Sequence, residues 1–378
     1  MDLTGAPFLV TVIVVAVALP VADLLLWSRV RGPIPVRVLQ RVGLLLVTQL
    51  SAVLMAGVLV NNQFGLYESW SDLLGTDQPG GPQVKQNPGG AAQPHGVAPS
   101  GSAQPDAPVA LPGIGALPGS GRVRFETVTG PQSGITSKLW VLLPQGYDDP
   151  GSAHRHYPVV EFFPGYPGTP TTWLHALHLQ DVMDAEVSAG RVPAFIAVLP
   201  TMNVAAPRDT ECVDVSGGPQ VATWLATDVP RILESQTRTL PRGNAWAMAG
   251  YSTGGFCTAK LLLTHPSDFG SGAVLAGYFS PSNDLTTGDL FAGQQALRDA
   301  NDPMWLLKNR PIPTVHLLAV YSDQDLQSLA PTKAFLALAK PPLAVDEIVL
   351  PSGGHNTNVW LGVEPQVLRW LGSHLATA

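Results

Sequence analysis

The chain has 378 residues and a formal net charge of −7 at pH 7. It offers no basic stripe to neutralise phosphates, which excludes a nucleic-acid partner. Two cysteines, with no C-x-x-C, no H-E-x-x-H and no Walker loop, exclude a thiolate zinc site and P-loop chemistry.

Two apolar runs open the chain, PFLVTVIVVAVALPVADLLLW at 7–27 and VGLLLVTQLSAVLMAGVLV at 42–60. Each holds roughly 20 residues, enough to cross a hydrocarbon core of about 30 Å as a helix. A cleaved signal peptide is the competing reading of the first run. Against it, MDLTGA carries no Lys or Arg and a second span follows. Pro20 is tolerable within a span, and Asp23, close to its end, is expected to reach the interface. Between the runs, SRVRGPIPVRVLQR carries Arg29, Arg31, Arg37 and Arg41 and no acid, whereas the outer flanks carry Asp2, Glu68 and Asp72. Positive charge stays in the cytoplasm, so residues 1–75 read as a two-span hairpin with both termini of the chain outside the cell membrane. Membrane lipid is then its first partner.

Residues 76–121 are about two-thirds Pro, Gly, Ala and Gln, without an aromatic residue. Such a segment cannot bury enough surface to offset its ordering entropy, and it reads as a flexible, partly extended tether.

From 122 to 378, strand and helix signals alternate. RVRFETV and SKLWVLL read as an opening antiparallel pair. YPVVEFF, AFIAVLP, AWAMAG, SGAVLAG, PTVHLLAV and DEIVLP are short apolar runs of the kind buried in a central sheet. Helical stretches such as TTWLHALHLQDVMD, VATWLATDVPRILESQTRT and GGFCTAKLLLTHP separate most of them. The alternation implies an α/β fold with a mainly parallel, doubly wound sheet, whose chemistry gathers at the carboxyl ends of the strands.

AMAGYSTGGFCTAK places Ser252 between Gly250 and Gly254, after a strand and before a helix. Strand, glycine-flanked elbow and helix push a serine hydroxyl to the tip of a tight turn, where the helix amides point. The alternative is an ordinary glycine-rich helix entry. A serine needs a base. Of nine histidines, His355 in LPSGGHNTNVW lies in a loop directly after a strand, suited to present an imidazole. The base needs a carboxylate, and YSDQD, just past an apolar strand, supplies Asp323 and Asp325. Asp325 is preferred because the strand is expected to end near Val320 or Tyr321, and Asp323 follows too closely. Asp323 is instead available to cap the next helix, with Ser328 a competing cap. Oxyanion donors are expected from the backbone N–H of Thr253 and, in the turn PGYPG after YPVVEFF, from that of Tyr166.

These motifs together resemble the esterase D-like branch of the α/β-hydrolases, which also holds the secreted mycolyltransferases. YPVVEFFPGYPG is similar to that branch's strand and oxyanion turn, with Pro164 where many members carry His. GYSTGG is similar to its nucleophile elbow, and GGHNTNVW to its histidine loop. The subgroup resembled is that of actinobacterial membrane-anchored esterases. The resemblance covers 122 to about 375 and leaves the hairpin and tether outside. It implies an extracytoplasmic enzyme without metal or organic cofactor, acting on an ester or acyl-lipid substrate. The acyl group would pass to water, or to a sugar or lipid hydroxyl; a catalytically dead surface-binding module is the alternative of a different class. An extracytoplasmic location also permits a disulfide between Cys212 and Cys257, against two buried free thiols.

Overall fold

The structure is a computed structural model that describes residues 3, 5–64, 67, 70–74, 83–85 and 122–377. Helices α1 (Ala6–Trp27) and α2 (Ile34–Phe64) are long and apolar enough to cross a membrane, each holding an 18-residue stretch of mean hydropathy 2.7 and 2.2 respectively. Helix α2 begins well before the expected 42. Pro33 and Pro35 stand at its entry, where a missing N–H costs nothing, so the helix extends back through VRVLQR. The polar link shrinks to 28–33, and Arg37 and Arg41 ride on the first turns of α2. The Arg41 guanidinium lies over the Trp27 ring, 4.8 Å from its centroid. Asp23 is buried against α2, and the Thr48 hydroxyl donates to its Oδ2 at 2.6 Å. An unpaired carboxyl among apolar side chains is costly, and this bond offsets part of that cost.

A short helix, α3, spans Trp70–Leu73. The expected tether at 76–121 lies outside the described residues, apart from Gln83–Lys85, which form β1.

The remaining strands are β2 (Val123–Thr129), β3 (Thr136–Leu142), β4 (Val159–Phe163), β5 (Ile196–Pro200), β6 (Gly243–Tyr251), β7 (Phe269–Leu275), β8 (His316–Ser322) and β9 (Ala344–Leu350). They form one sheet in the order β1-β9-β8-β7-β6-β4-β5-β3-β2. The pair β2–β3 is antiparallel, as its pattern predicts, with Val123 opposite Leu142 and Thr129 opposite Thr136. From β5 to β9 every pairing is parallel, while β3 and β1 join at the two ends antiparallel.

Helices α4 (Pro170–His175), α5 (Leu179–Ser188), α6 (Val221–Thr223), α7 (Val229–Gln236), α8 (Thr253–Thr264), α9 (Gln295–Ala300), α10 (Pro303–Asn309), α11 (Leu326–Leu336) and α12 (Thr357–His374) fill the connections. TTWLHALHLQDVMD forms two helices rather than one, because His178 adopts a left-handed conformation, φ 51°, between α4 and α5. A π-helical turn, Trp224–Asp228, joins α6 to α7.

Strand β4 shows how the core is divided. All five residues are buried, yet Val159 and Phe163 join one apolar cluster and Val160 and Phe162 the other. The first cluster holds α7, α8 and α11 through Ile232, Phe256 and Phe335; the second holds α5 and α12 through Met183 and Val367. A strand buried on both faces reads as a continuous apolar run rather than an alternating one. The chain leaves β4 toward β5 on one side and leaves β6 toward β7 on the other. Since β4 and β6 are neighbours, their departing loops open a crevice at the carboxyl ends of the strands.

Candidate active site

Ser252 sits in that crevice, at the junction of β6 and α8. Its backbone is strained for a residue with a side chain, at φ 55° and ψ −122°, and its N–H is anchored on Leu275 O at 2.9 Å. The flanking glycines make this elbow possible. A Cβ on Gly250 would meet Gly254 O at 2.1 Å, and one on Gly254 would meet Phe163 O at 2.3 Å. Without those side chains, the start of α8 seats directly on the end of β4. The turn after β4 comes equally close, since a Cβ on Gly165 would lie 2.9 Å from Ser252 Cβ. Tyr166 is thereby next to the elbow. Among the described residues, neither the Tyr166 N–H nor the Thr253 N–H has a protein acceptor. Two unclaimed N–H groups beside a serine are what a developing oxyanion requires.

Asp325 and His355 meet across 30 residues of chain. His355 Nδ1 is 2.9 Å from Asp325 Oδ2, with both side chains buried. Asp325 also caps α11, accepting from Gln327 N at 3.1 Å through Oδ1 and from the Ser328 hydroxyl at 2.7 Å through Oδ2. The cap is therefore neither Asp323 nor Ser328. Burial pushes the Asp325 carboxyl up, but the His355 imidazole and these donors together hold it below the ordinary carboxylate value. With Asp325 ionised, Nδ1 carries the proton and donates. His355 Nε2, buried and without a protein partner among the described residues, is left with its lone pair. Strand β8 runs on to Ser322, beyond the expected Tyr321, and Asp323 is exposed, with its own N–H bonded to Leu350 O.

The histidine loop and the elbow share one side chain, Trp360 in the first turn of α12. Its ring stacks on Tyr251 at 4.4 Å between centroids and meets His355 edge-on at 5.1 Å. The N-cap Asn356, accepting from Asn358 N and Val359 N, fixes where α12 starts and so where Trp360 points.

Cys212 and Cys257 are joined in a disulfide that fastens the loop after β5 to α8. Next to it lies a group of buried polar side chains that the residue pattern did not single out. Thr253 Oγ1 donates to Asp209 Oδ2 at 3.1 Å, and Tyr278 OH donates to Glu211 Oε1 at 2.6 Å. Glu211 also accepts from Ser282 N at 3.0 Å, and Lys260 Nζ donates to Cys212 O at 2.5 Å. Burial pushes the carboxyl of Asp209 up and that of Glu211 up to about 7, while it lowers the Lys260 ammonium to about 8. The two acids of RDTEC were the available signal, but nothing in their spacing says what they face. Glu161, in the middle of β4, is wholly buried and its carboxylate oxygens have no partner among the described residues; burial raises it well above the ordinary value.

The family described as "Putative esterase" matches residues 133–360. An uncharacterised protein of Corynebacterium glutamicum is 25% identical over 243 residues, covering 61% of this chain and 56% of that protein. The chain thus spans little more than half the length of that relative. Among solved structures, a ferulic acid esterase superposes with a TM-score of 0.58 at 19% identity, over 66% of this chain and 98% of that one. An S-formylglutathione hydrolase from Agrobacterium tumefaciens gives 0.57 at 14% identity, over 67% and 95%. At such identities the likeness is one of fold, the α/β-hydrolase fold that the strand order already displays. The family match takes in the turn at Tyr166, the Ser252 elbow, Asp325 and His355, and the chain belongs to this esterase family.

Proposed function

We propose that the chain is a membrane-anchored, extracytoplasmic serine esterase that hydrolyses carboxylic esters through an acyl-enzyme on Ser252. The observation that carries the reading is the Asp325–His355 pair set against the same indole as the strained Ser252 elbow. In this mechanism Ser252 Oγ attacks the ester carbonyl as His355 Nε2 takes its proton. The N–H groups of Tyr166 and Thr253 hold the oxyanion. Collapse expels the alcohol, which takes the proton back from His355. Water, activated by the same imidazole, then releases the acid and frees the serine. A sugar or lipid hydroxyl in place of water would make the same acyl-enzyme a transferase, and the hairpin would hold the site close to such acceptors.

The Ser252→Ala variant should lose ester turnover and labelling by a fluorophosphonate, while keeping the wild-type circular dichroism. More than a few per cent of residual turnover in clean protein would remove Ser252 from the mechanism. Supplying candidate hydroxyl acceptors to the wild type separates hydrolysis, which yields free acid, from transfer, which yields an acylated alcohol. The location is supported by four arginines gathered between or at the facing ends of α1 and α2, and by the disulfide. Protease added to cells with a permeabilised outer wall should release the catalytic domain. Protection until the membrane is lysed would place it inside.

A further inference from the structure

We infer that the loop after β5, from Asn203 to Cys212, is a positioning brace that holds both oxyanion donors at once: Asn203 sets the turn that carries the Tyr166 N–H, and Asp209, through the Thr253 hydroxyl, sets the Thr253 N–H. This inference rests on the role proposed above for those two N–H groups.

The bonds from this loop run to both sides of the crevice. Asn203 Nδ2 donates to Gly168 O at 2.7 Å and to Gly165 O at 3.3 Å, straddling Tyr166 and tying off the turn after β4. Tyr166 OH donates to Pro207 O at 2.5 Å, so the residue that presents the N–H is also gripped by its ring. On the far side, Asp209 accepts from Thr253 Oγ1 through Oδ2 and from Glu211 N at 2.8 Å through Oδ1. A residue whose backbone N–H faces the oxyanion is therefore held by its own side chain. The turn and the helix come from separate strands, β4 and β6, and their donors must converge on one point. A single element bonded to both fixes their separation.

The brace is itself anchored. Cys212 is bonded to Cys257 on α8, and the backbone of Glu211 and Cys212 is left-handed at φ 45° and 51°. Such a conformation persists in residues with side chains only where the surroundings over-determine it. Here Tyr278 and Ser282 hold the Glu211 carboxyl, Lys260 holds Cys212 O, and Asp209 N donates to Thr286 O at 3.0 Å. Asp209 and Thr253 are nearly inaccessible to solvent, so water cannot replace their bond at no cost.

The test uses the full chain in detergent micelles, with a chromogenic short-chain ester and a fluorophosphonate. Thr253→Val keeps shape and backbone N–H but removes the hydroxyl; Asn203→Asp keeps shape but removes the donor. A donor displaced by about 1 Å costs up to roughly a hundredfold. Each variant should therefore lose roughly tenfold to a hundredfold in kcat with KM within about twofold, because the oxyanion forms only after binding. Thr253→Ser, which restores the hydroxyl, should recover kcat. In the pair Thr253→Val with Asp209→Ala, the double variant should lose no more than the worse single one, since both cut the same bond. Folded Thr253→Val and Asn203→Asp proteins with wild-type kcat would overturn the brace, as would additive losses in the double variant. Absence of labelling at Ser252 in the wild type would instead overturn the proposed mechanism, and the inference with it.

Discussion

On the His355 side of the Trp360 indole, polar groups are held by their own sequence neighbours. Asp325 is fixed by Gln327 and Ser328, two and three residues on, and Trp360 is aimed by the cap of its own helix. On the Ser252 side, the holding groups come from far along the chain: Asp209 is 44 residues from Thr253, Asn203 is 35 from Gly168, and Tyr278 is 67 from Glu211. Asp325 and Trp360 are thus each oriented by local geometry that forms with α11 and α12, and one contact across 30 residues then joins His355 to Asp325. The surroundings of Ser252 exist only once three loops have docked. Damage to the first side should read out as lost chemistry in an intact fold, and damage to the second as lost chemistry together with lost stability.

The largest effect should come from Asp325→Asn. Asparagine is as good a helix cap as aspartate, so α11 should survive and the melting temperature should move little. The amide favours the wrong histidine tautomer, and kcat should fall by roughly 10⁴. Asp323→Asn, at an exposed site whose backbone N–H donates to Leu350 O, should change kcat by less than about threefold. If Asp323→Asn proved the crippling change and Asp325→Asn the mild one, the acid would have to be reassigned. If Asp325→Asn also unfolded the protein, the contrast between the two sides would fail.

Next in size is the disulfide. It closes a loop of about 46 residues, and removing it should cost up to about 4 kcal/mol in the chain-entropy model. For a domain of this size each kcal/mol shifts the melting temperature by about 2–4 °C. The double variant Cys212→Ala with Cys257→Ala should therefore melt visibly lower and, unlike Asp325→Asn, lose stability and kcat together. Unchanged kcat at a lowered melting temperature would separate the anchor from the brace. Alkylation of both cysteines by iodoacetamide in denatured, unreduced protein would show that the bridge does not form.

The same division governs what could be read in the sequence. The strands of the parallel sheet, the elbow at Ser252, and Asp325 with His355 were legible because each rests on a short pattern: an apolar run, a glycine-flanked serine, an acid or histidine just past a strand. Failures fell where a distant partner decides the outcome. Asp23 looks unpartnered until Thr48, 25 residues on, is placed beside it. Glu161 sits in an apolar strand with no sequence sign that burial raises its carboxyl. The antiparallel addition of Gln83–Lys85 to β9 pairs residues more than 260 positions apart, beyond any local pattern. Asn203 and Asp209 belong to a loop whose composition is unremarkable until its bonds are traced.

The smallest effect concerns Glu211, and it sharpens the view that the Ser252 side is held at a cost in burial. Burial pushes this carboxyl up, the Tyr278 hydroxyl and Ser282 N–H pull it down and Asp209 pushes it up again, and the balance lies at about 7 against an ordinary 4.5. Lys260, also buried, faces it as the nearby cation. Because the folded value lies above the unfolded one, the folded protein binds more protons between about pH 4.5 and 7. Stability must then fall as pH rises through that window, with the full penalty present above it. At about 1.4 kcal/mol per unit, the loss is on the order of 3–4 kcal/mol, and Asp209, raised likewise, adds to it. Glu211→Gln cannot ionise. It keeps one oxygen for Tyr278 and Ser282 but brings an amide N–H₂ with no acceptor, so near pH 5 it should be no more stable than the wild type and by about 1 kcal/mol less. By pH 8 the wild type bears its buried charge and the variant does not, and the difference should close or reverse. Denaturant midpoints followed by tryptophan fluorescence at pH 5, 6, 7 and 8 would show the two profiles converging. Parallel profiles across that range would mean that Glu211 takes up no proton on folding, and that the acids behind Thr253 are charged braces rather than neutral ones.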